Sequence, residues 1–573
     1  NPQLGTMPID RRNFLEGCAA LGLTGLFPGA LYAQVDEDDT EITVEHIAAA
    51  EVIAGLSFTP EERAMMADDL NQKREQYGAL RAMEMPNSVV PASTFDPRIG
   101  GAAIPAGDAG MNWTPRPVER PSSDTELAFL PVADLSYLLA TRQVTSVELT
   151  ELYLRRLKQY DPTLKFVITY TEERAREQAR RADAELDAGT RRGPLHGIPW
   201  GAKDLLAVEG YKTTWGATPY QDQVIDATAT VVQRLDEAGA VLIAKLTLGA
   251  LAWGDVWYGG TTKNPWNVEQ GSSGSSAGPG SAVAAGCVGF AIGSETLGSI
   301  VSPSTRNGVT GHRPTFGAVP RTGAMVLSWT MDKLGPMARS AEDCALVFDA
   351  LRGAGGGDPS TVDMPFPYRA RRDLSELRVG VYEGAFDGEY ANAAADRQTL
   401  DVLRNDLGLE LIPIELPSDL PVGAILNTLE VESAAAFDDL TRTDGIDQMV
   451  RQEENAWPHV FRTARMVPAV EHVQMSRART KLMQATRAAL EEVDVFVSPS
   501  FRGGTLQITN LTGHPCVCLP NAFRPLEDQP NSPRREPGSI TFLGRLYHDA
   551  DVLALATAYQ RATDFHRQQP PIR

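Results

Sequence analysis

Gly271-Ser272-Ser273-Gly274-Ser275-Ser276-Ala277-Gly278-Pro279-Gly280-Ser281 runs straight into Ala282-Val283-Ala284-Ala285-Gly286, and the chain soon continues as Gly293-Ser294-Glu295-Thr296-Leu297-Gly298-Ser299-Ile300. Flexible linkers have this composition. A linker does not, however, lead into a small-residue helix and a buried strand such as 290–292. A phosphate-binding loop needs a Gly-Lys-Ser/Thr that is missing here. A nucleophile elbow needs Gly-x-Ser-x-Gly, which neither Gly271-Ser272-Ser273-Gly274 nor Gly298-Ser299-Ile300-Val301 supplies. What remains is a backbone bent sharply around several hydroxyls, with small residues permitting close approach. A serine is a weak nucleophile until a base takes its proton. The eight histidines offer no triad order; His196, His312 and His514 read as structural. The other available base is a lysine made neutral by burial. Lys203 fits, because it lies in the apolar run Ile198-Pro199-Trp200-Gly201-Ala202-Lys203-Asp204-Leu205-Leu206. Desolvation lowers a lysine pKa toward the range that a general base needs.

Around this stretch, short apolar runs at 240–244, 290–292, 377–382 and 493–497 read as buried strands with helical segments between them. That alternation predicts an α/β domain whose mixed, mostly parallel sheet is covered by helices. Thr145-Ser146-Val147-Glu148 is a capping box, followed by the stripe Leu149, Leu152, Tyr153 and Leu157. The α/β domain spans 124–573 and carries a helical insertion at about 413–470, opened by Pro413, Pro417 and Pro421. Residues 35–123 read as an N-terminal helical segment and an extended arm. In it, Thr59-Pro60-Glu61-Glu62 starts a helix, and 86–123 is rich in Pro, Gly and Ser. Trp253 and Trp329 are candidates to line a substrate pocket.

Residues 1–34 read as a tag remnant followed by an export signal. Met7 marks the natural start, and Asp10-Arg11-Arg12-Asn13-Phe14-Leu15 precedes an uncharged stretch ending at Ala33. Twin arginines in this setting predict export across a bacterial inner membrane, with a periplasmic destination. The 573 residues are too many for one small domain, and 53 basic against 74 acidic residues leave a net charge of −21. Such a surface repels phosphate backbones, so nucleic acid is not an expected partner. Five cysteines form no disulfide framework. No apolar run of 18 residues predicts a membrane span.

Several separate motifs then fall into one order. Gly193-Pro194-Leu195-His196-Gly197-Ile198-Pro199-Trp200-Gly201-Ala202-Lys203-Asp204, the glycine–serine run, and Gly293 to Ser304 come first. Leu334-Gly335-Pro336-Met337-Ala338-Arg339 and Asn510-Leu511-Thr512-Gly513-His514-Pro515 follow. Together, over about 126–565, they resemble the amidase signature family. The resemblance implies that family's fold and a Ser-cisSer-Lys triad. Ser299 is then the nucleophile, Ser275 the bridging serine after a cis peptide, and Lys203 the base, with Thr296, Leu297 and Gly298 forming the oxyanion hole. Neither metal nor organic cofactor is implied.

The implied activity is a serine amidohydrolase that cleaves a small acyl or aryl amide, an ester and a carbamate (urethane) being open to the same chemistry. Two alternatives stay open: an amidotransferase-like catalytic subunit that works with a partner, and a non-catalytic relative used for binding. Monomer and homodimer are equally compatible with the sequence. Two departures from the family pattern Gly-Gly-Ser-Ile-Arg stand out. Leu297 puts a side chain beside the oxyanion hole, and Val301 removes a charge behind it.

Overall fold

The computed structural model describes residues 41–572 except 84, 90, 108 and 109. The twin-arginine segment lies outside the described residues. Two compact units are present, one running to Met85 and the other starting at Pro86. The first contains α1 (Val44–Ala54) and α2 (Pro60–Arg81). As the sequence predicts, Thr59 caps α2: its hydroxyl accepts the Glu62 N–H at 3.2 Å, and the Glu62 carboxylate accepts the Thr59 N–H at 2.7 Å.

In the second unit, the first helix after the extended segment is Asp124–Ala128. Next, α3 (Ser146–Leu164) starts at the Thr145 capping box and buries Leu149, Leu152, Tyr153 and Leu157. Each such side chain stabilises the fold by about 1.5–3 kcal/mol. An 11-stranded sheet organises the unit. Its strands are β1 (Val167–Tyr170), β2 (Pro199–Lys203), β3 (Val241–Leu246), β4 (Phe290–Glu295), β5 (Thr310–Arg313) and β6 (Lys333–Ala338). The others are β7 (Val379–Val381), β8 (Leu411–Pro413), β9 (Val495–Pro499), β10 (Cys516–Pro525) and β11 (Arg535–Gly544). The spatial order is β1-β3-β2-β4-β6-β5-β10-β11-β9-β7-β8.

The sheet is mixed, but antiparallel pairings outnumber parallel ones by six to four, which corrects the mostly parallel expectation. Parallel neighbours need a crossover, usually a helix. Strand–helix alternation holds around β2–β4 and β7–β9, and those are the parallel clusters. Elsewhere loops replace the crossover helices, as between β10 and β11, whose 10-residue strands pair as a long antiparallel ladder.

Four further helices frame the site: α4 (Ala277–Ala284), α5 (Val301–Asn307), α6 (Val422–Ala436) and α7 (Ala469–Ala489). Helices follow one another from Val422 to Ala489 with no strand between β8 and β9, so the helical stretch runs past residue 470. After β9 comes α8 (Thr505–Thr512). No helix among the described residues is long and apolar enough to cross a membrane.

Candidate active site

Lys203 is the last residue of β2, a strand buried at every position. Since β2 runs parallel to β3 and β4, the carboxyl ends of all three open on the same side, where α/β sheets bind ligands. Lys203 is fully buried, and its Nζ lies 2.8 Å from Ser275 Oγ, 3.1 Å from Ser276 Oγ and 2.8 Å from Ser294 Oγ. The adjacent Asp204 does not neutralise it. That carboxylate pairs with Lys245 at 2.7 Å and accepts from Thr214 N–H and Oγ1. Burial pushes the Lys203 pKa well below its ordinary value, against the opposing pull of the Asp332 and Glu295 carboxylates.

The glycine–serine run is a packed turn and helix. The Gly274–Ser275 peptide bond is cis. Every residue of α4 is buried, and a Cβ on Gly278 would come within 2.5 Å of Thr247 N. Small residues are therefore a packing requirement here. Ser275 and Ser276 play different parts. The Ser276 hydroxyl donates to Ser294 O at 3.2 Å and accepts the Ser294 N–H at 3.1 Å, so it braces β4. Among the described residues, the Ser275 hydroxyl is bonded to Lys203 alone.

After Glu295 the chain turns through Thr296–Ile300 into α5, with Gly298 at φ +83°. Ser299 is half-buried in this turn, and its carbonyl accepts the Ser276 N–H at 3.2 Å, tying the two serine segments together. The structure thus brings Lys203 onto Ser275 and sets Ser299 beside them through the main chain. The Ser299 hydroxyl makes no hydrogen bond among the described residues. Nor do the N–H groups of Leu297 and Gly298 find a main-chain partner there. Thr296 is fixed by its hydroxyl, which donates to Asp332 Oδ1 at 2.6 Å.

Behind the turn lies a buried charge network that sequence reasoning only touched. Glu295 accepts Ile300 N–H at 2.8 Å and Val301 N–H at 2.9 Å on one oxygen. Its other oxygen accepts from Arg313 Nη1 and Asn510 Nδ2, each at 2.8 Å. Burial alone would raise its pKa, but the Arg313 guanidinium and the Lys333 ammonium hold it down to about 2. Lys333 pairs in register with Glu295 across β6 and β4, and its Nζ donates to Asn510 Oδ1 at 2.8 Å. Val301 packs instead in an apolar cluster with Met331, Ile508 and Leu511. Glu295→Gln leaves the Arg313 charge buried without its partner, so urea unfolding is expected to show a loss of about 3–5 kcal/mol. Lys333, Arg313 and Asn510 all lie in or beside quoted motifs. The usable signal was a charged side chain inside a strand that is otherwise buried.

A cavity of about 450 Å³ reaches Ser294 and Thr296. Its lining is largely apolar, with Leu205, Ile225, Met325 and Trp329 among the contributors. Trp329 is therefore placed on the pocket wall as predicted. Trp253 is not on that wall: it packs edge-to-face on Trp457, ring centroids 4.4 Å apart, at the margin of the hydrophobic core. Arg321 is the cation on the wall, and it is bound to Asp358 at 3.0 Å, Trp329 O at 2.8 Å and Ser360 Oγ at 2.8 Å. His312 bonds Asp549 at 3.2 Å and His514 bonds Thr512 at 2.7 Å, consistent with structural roles. No cluster among the described residues could hold a metal ion.

A buried lysine held by serines at the carboxyl edge of a mixed sheet, next to a turn with free N–H groups, defines a class of serine-based acyl-transfer proteins. The amidase family profile matches residues 148–521, and the chain belongs to that family. One relative, a glutamyl-tRNA(Gln) amidotransferase subunit from Roseiflexus sp. (strain RS-1), is 31% identical over 496 residues, covering 78% of this chain and 99% of the relative. Among solved structures, the native peptide amidase of Stenotrophomonas maltophilia aligns with a TM-score of 0.67 at 28% identity, covering 77% of this chain and 98% of that one. A bacterial aryl acylamidase of the amidase signature enzymes shares the fold, with a TM-score of 0.67 at 20% identity over 78% of this chain and 99% of that one.

Proposed function

We propose that this chain hydrolyses a small amide bearing an apolar acyl or aryl group, through an acyl-enzyme on Ser299. The observation that carries the reading is the hydrogen-bond inventory around Lys203 Nζ. The Ser276 hydroxyl already donates to Ser294 O, so it can only accept from the lysine. Ser294 Oγ takes a second N–H. A neutral amine has two protons, and its lone pair then faces Ser275 at 2.8 Å. An ammonium could also donate to all three hydroxyls, but burial without a paired carboxylate disfavours it.

In the proposed step, Lys203 takes the proton of Ser275 while Ser275 takes that of Ser299. Ser299 Oγ bonds to the amide carbon, and the carbonyl electrons move onto oxygen, facing the N–H groups of Thr296, Leu297 and Gly298. When the carbon–nitrogen bond breaks, the proton returns from Lys203 through Ser275 to the leaving amine. Water, deprotonated by the same relay, then attacks the acyl-serine, releases the acid and regenerates the Ser299 hydroxyl. An ester or carbamate follows the same sequence with a different leaving group.

The apolar cavity supports a neutral, greasy substrate. A free amino acid would need an unpaired cation for its carboxylate, and Arg321 is already taken by Asp358 and two further acceptors. The net charge of −21 disfavours tRNA as a partner. A second reading is favoured by the curated relatives: a glutamine-using subunit that works with partner proteins, as the names of those relatives suggest. The test is a panel of acyl anilides, aryl amides, esters and carbamates set beside L-glutamine, with aniline, alcohol or ammonia release as readout. Turnover of the apolar substrates by the isolated chain, with none of glutamine, is expected. Ammonia released from glutamine alone would replace this reading with the second.

A further inference from the structure

The cavity wall includes a stretch that no family match accounts for. Pro86, Asn87 and Ser88 line it, although they lie far outside the matched residues 148–521. Pro86 and Ser88 are exposed, so this stretch forms the solvent-side wall. Asn87 is held by a two-way amide clip. Its Oδ1 accepts the Val326 N–H at 2.7 Å, and its Nδ2 donates to Val326 O at 2.9 Å. The same Nδ2 reaches Ala436 O, the last residue of α6, at 3.4 Å.

Val326 sits between Met325 and Leu327, and all three line the cavity. The rest of this loop has holds of its own. Asp332 Oδ2 accepts Leu327 N–H at 2.8 Å and Ser328 N–H at 3.0 Å. Glu432 on α6 accepts Thr330 N–H at 3.1 Å, and Arg479 on α7 donates to Thr330 O at 2.9 Å. Val326 itself depends on the asparagine, whose amide pairs with both of its main-chain groups as a neighbouring strand would.

We infer that Asn87 is a specificity-determining positioning residue, which fixes Val326 and seats residues 86–88 across the cavity to limit the length of the acyl group accepted. This rests on the reading that the cavity receives the apolar acyl part of an amide. A pocket wall that yields by a methylene or more changes discrimination by about 10-fold or more.

The test is steady-state kinetics of the full chain on acetyl, butyryl and octanoyl para-nitroanilides. In Asn87→Ala, the octanoyl-to-acetyl ratio of kcat/KM is expected to rise about 10-fold, carried mainly by KM. Asn87→Asp keeps the shape, loses the donor and sets a carboxylate against two carbonyl oxygens, so it is expected to shift the ratio in the same direction. A side chain that merely fills space would leave that variant like the wild type. Ser88→Trp, which adds bulk to the same wall, is expected to lower the ratio. An unchanged ratio in all three variants of an active wild type overturns the clip. Absence of wild-type turnover on every anilide overturns the reading of the site, and the clip falls with it.

Discussion

Ser299→Ala is expected to reduce turnover of the best amide by about 10⁴-fold or more while leaving the thermal unfolding temperature near that of the wild type. The size follows from the chemistry, because without the hydroxyl no acyl-enzyme forms and water must attack an unactivated amide. The small effect on folding follows from the structure. Ser299 is half-buried, and its main-chain bond from Ser276 survives the change. A fluorophosphonate gives the independent readout. One covalent adduct per chain, mapped by mass to the peptide containing Ser299, is expected in the wild type and absent from the variant. An adduct that persists in Ser299→Ala, or maps to Ser275, would assign the nucleophile elsewhere.

Lys203→Met carries the second large effect, a fall in kcat of about 10²–10⁴-fold. Methionine matches the length and apolar stem of lysine but has no amine to take a proton, so the variant separates base chemistry from packing. Lys203→Arg is expected to fare no better, since a guanidinium does not give up its proton in a protein. The pH profile of the wild type supplies the sign. A protonated Lys203 cannot accept from Ser275, so kcat/KM rises with pH along one acidic limb and levels off once the amine is neutral. Burial lowers the Lys203 pKa well below that of a free lysine, which places this limb far to the acid side of 10.5. A limb near the ordinary lysine value would mean that the amine is solvated and charged in the working enzyme.

Much of this arrangement was legible before any coordinates. Lys203, Ser275 and Ser299 stand in motifs whose residue types are rare in combination, and the glycine–serine run could not be a linker once a buried helix and strand had to follow it. The direction of strand pairing was not legible. Strand–helix alternation is a local signal, whereas β10 and β11 pair through a loop and β6 joins β4 antiparallel across long sequence separations. The charge network was half visible. Glu295 read as an acid that fixes the loop, but its partners Arg313, Lys333 and Asn510 come from three other elements, and one-dimensional spacing does not announce such a convergence. The two tryptophans illustrate the same point. Trp329 reaches the cavity and Trp253 packs on Trp457, a distinction set by a helix far along the chain.

The place of Val301 bears on how this sequence can change. The family pattern puts an arginine directly after the isoleucine of the nucleophile turn, whereas here Val301 joins Met331, Ile508 and Leu511. The positive charges instead arrive from the neighbouring strands, on Arg313 and Lys333. Returning the family arginine at 301 would thrust a guanidinium into that apolar cluster, at a cost of several kcal/mol. The two arrangements are alternative solutions separated by a valley: crossing it requires Val301, its apolar neighbours and the distant cations to change together. Single substitutions that bring this chain nearer its relatives are, at this position, steps downhill in fitness.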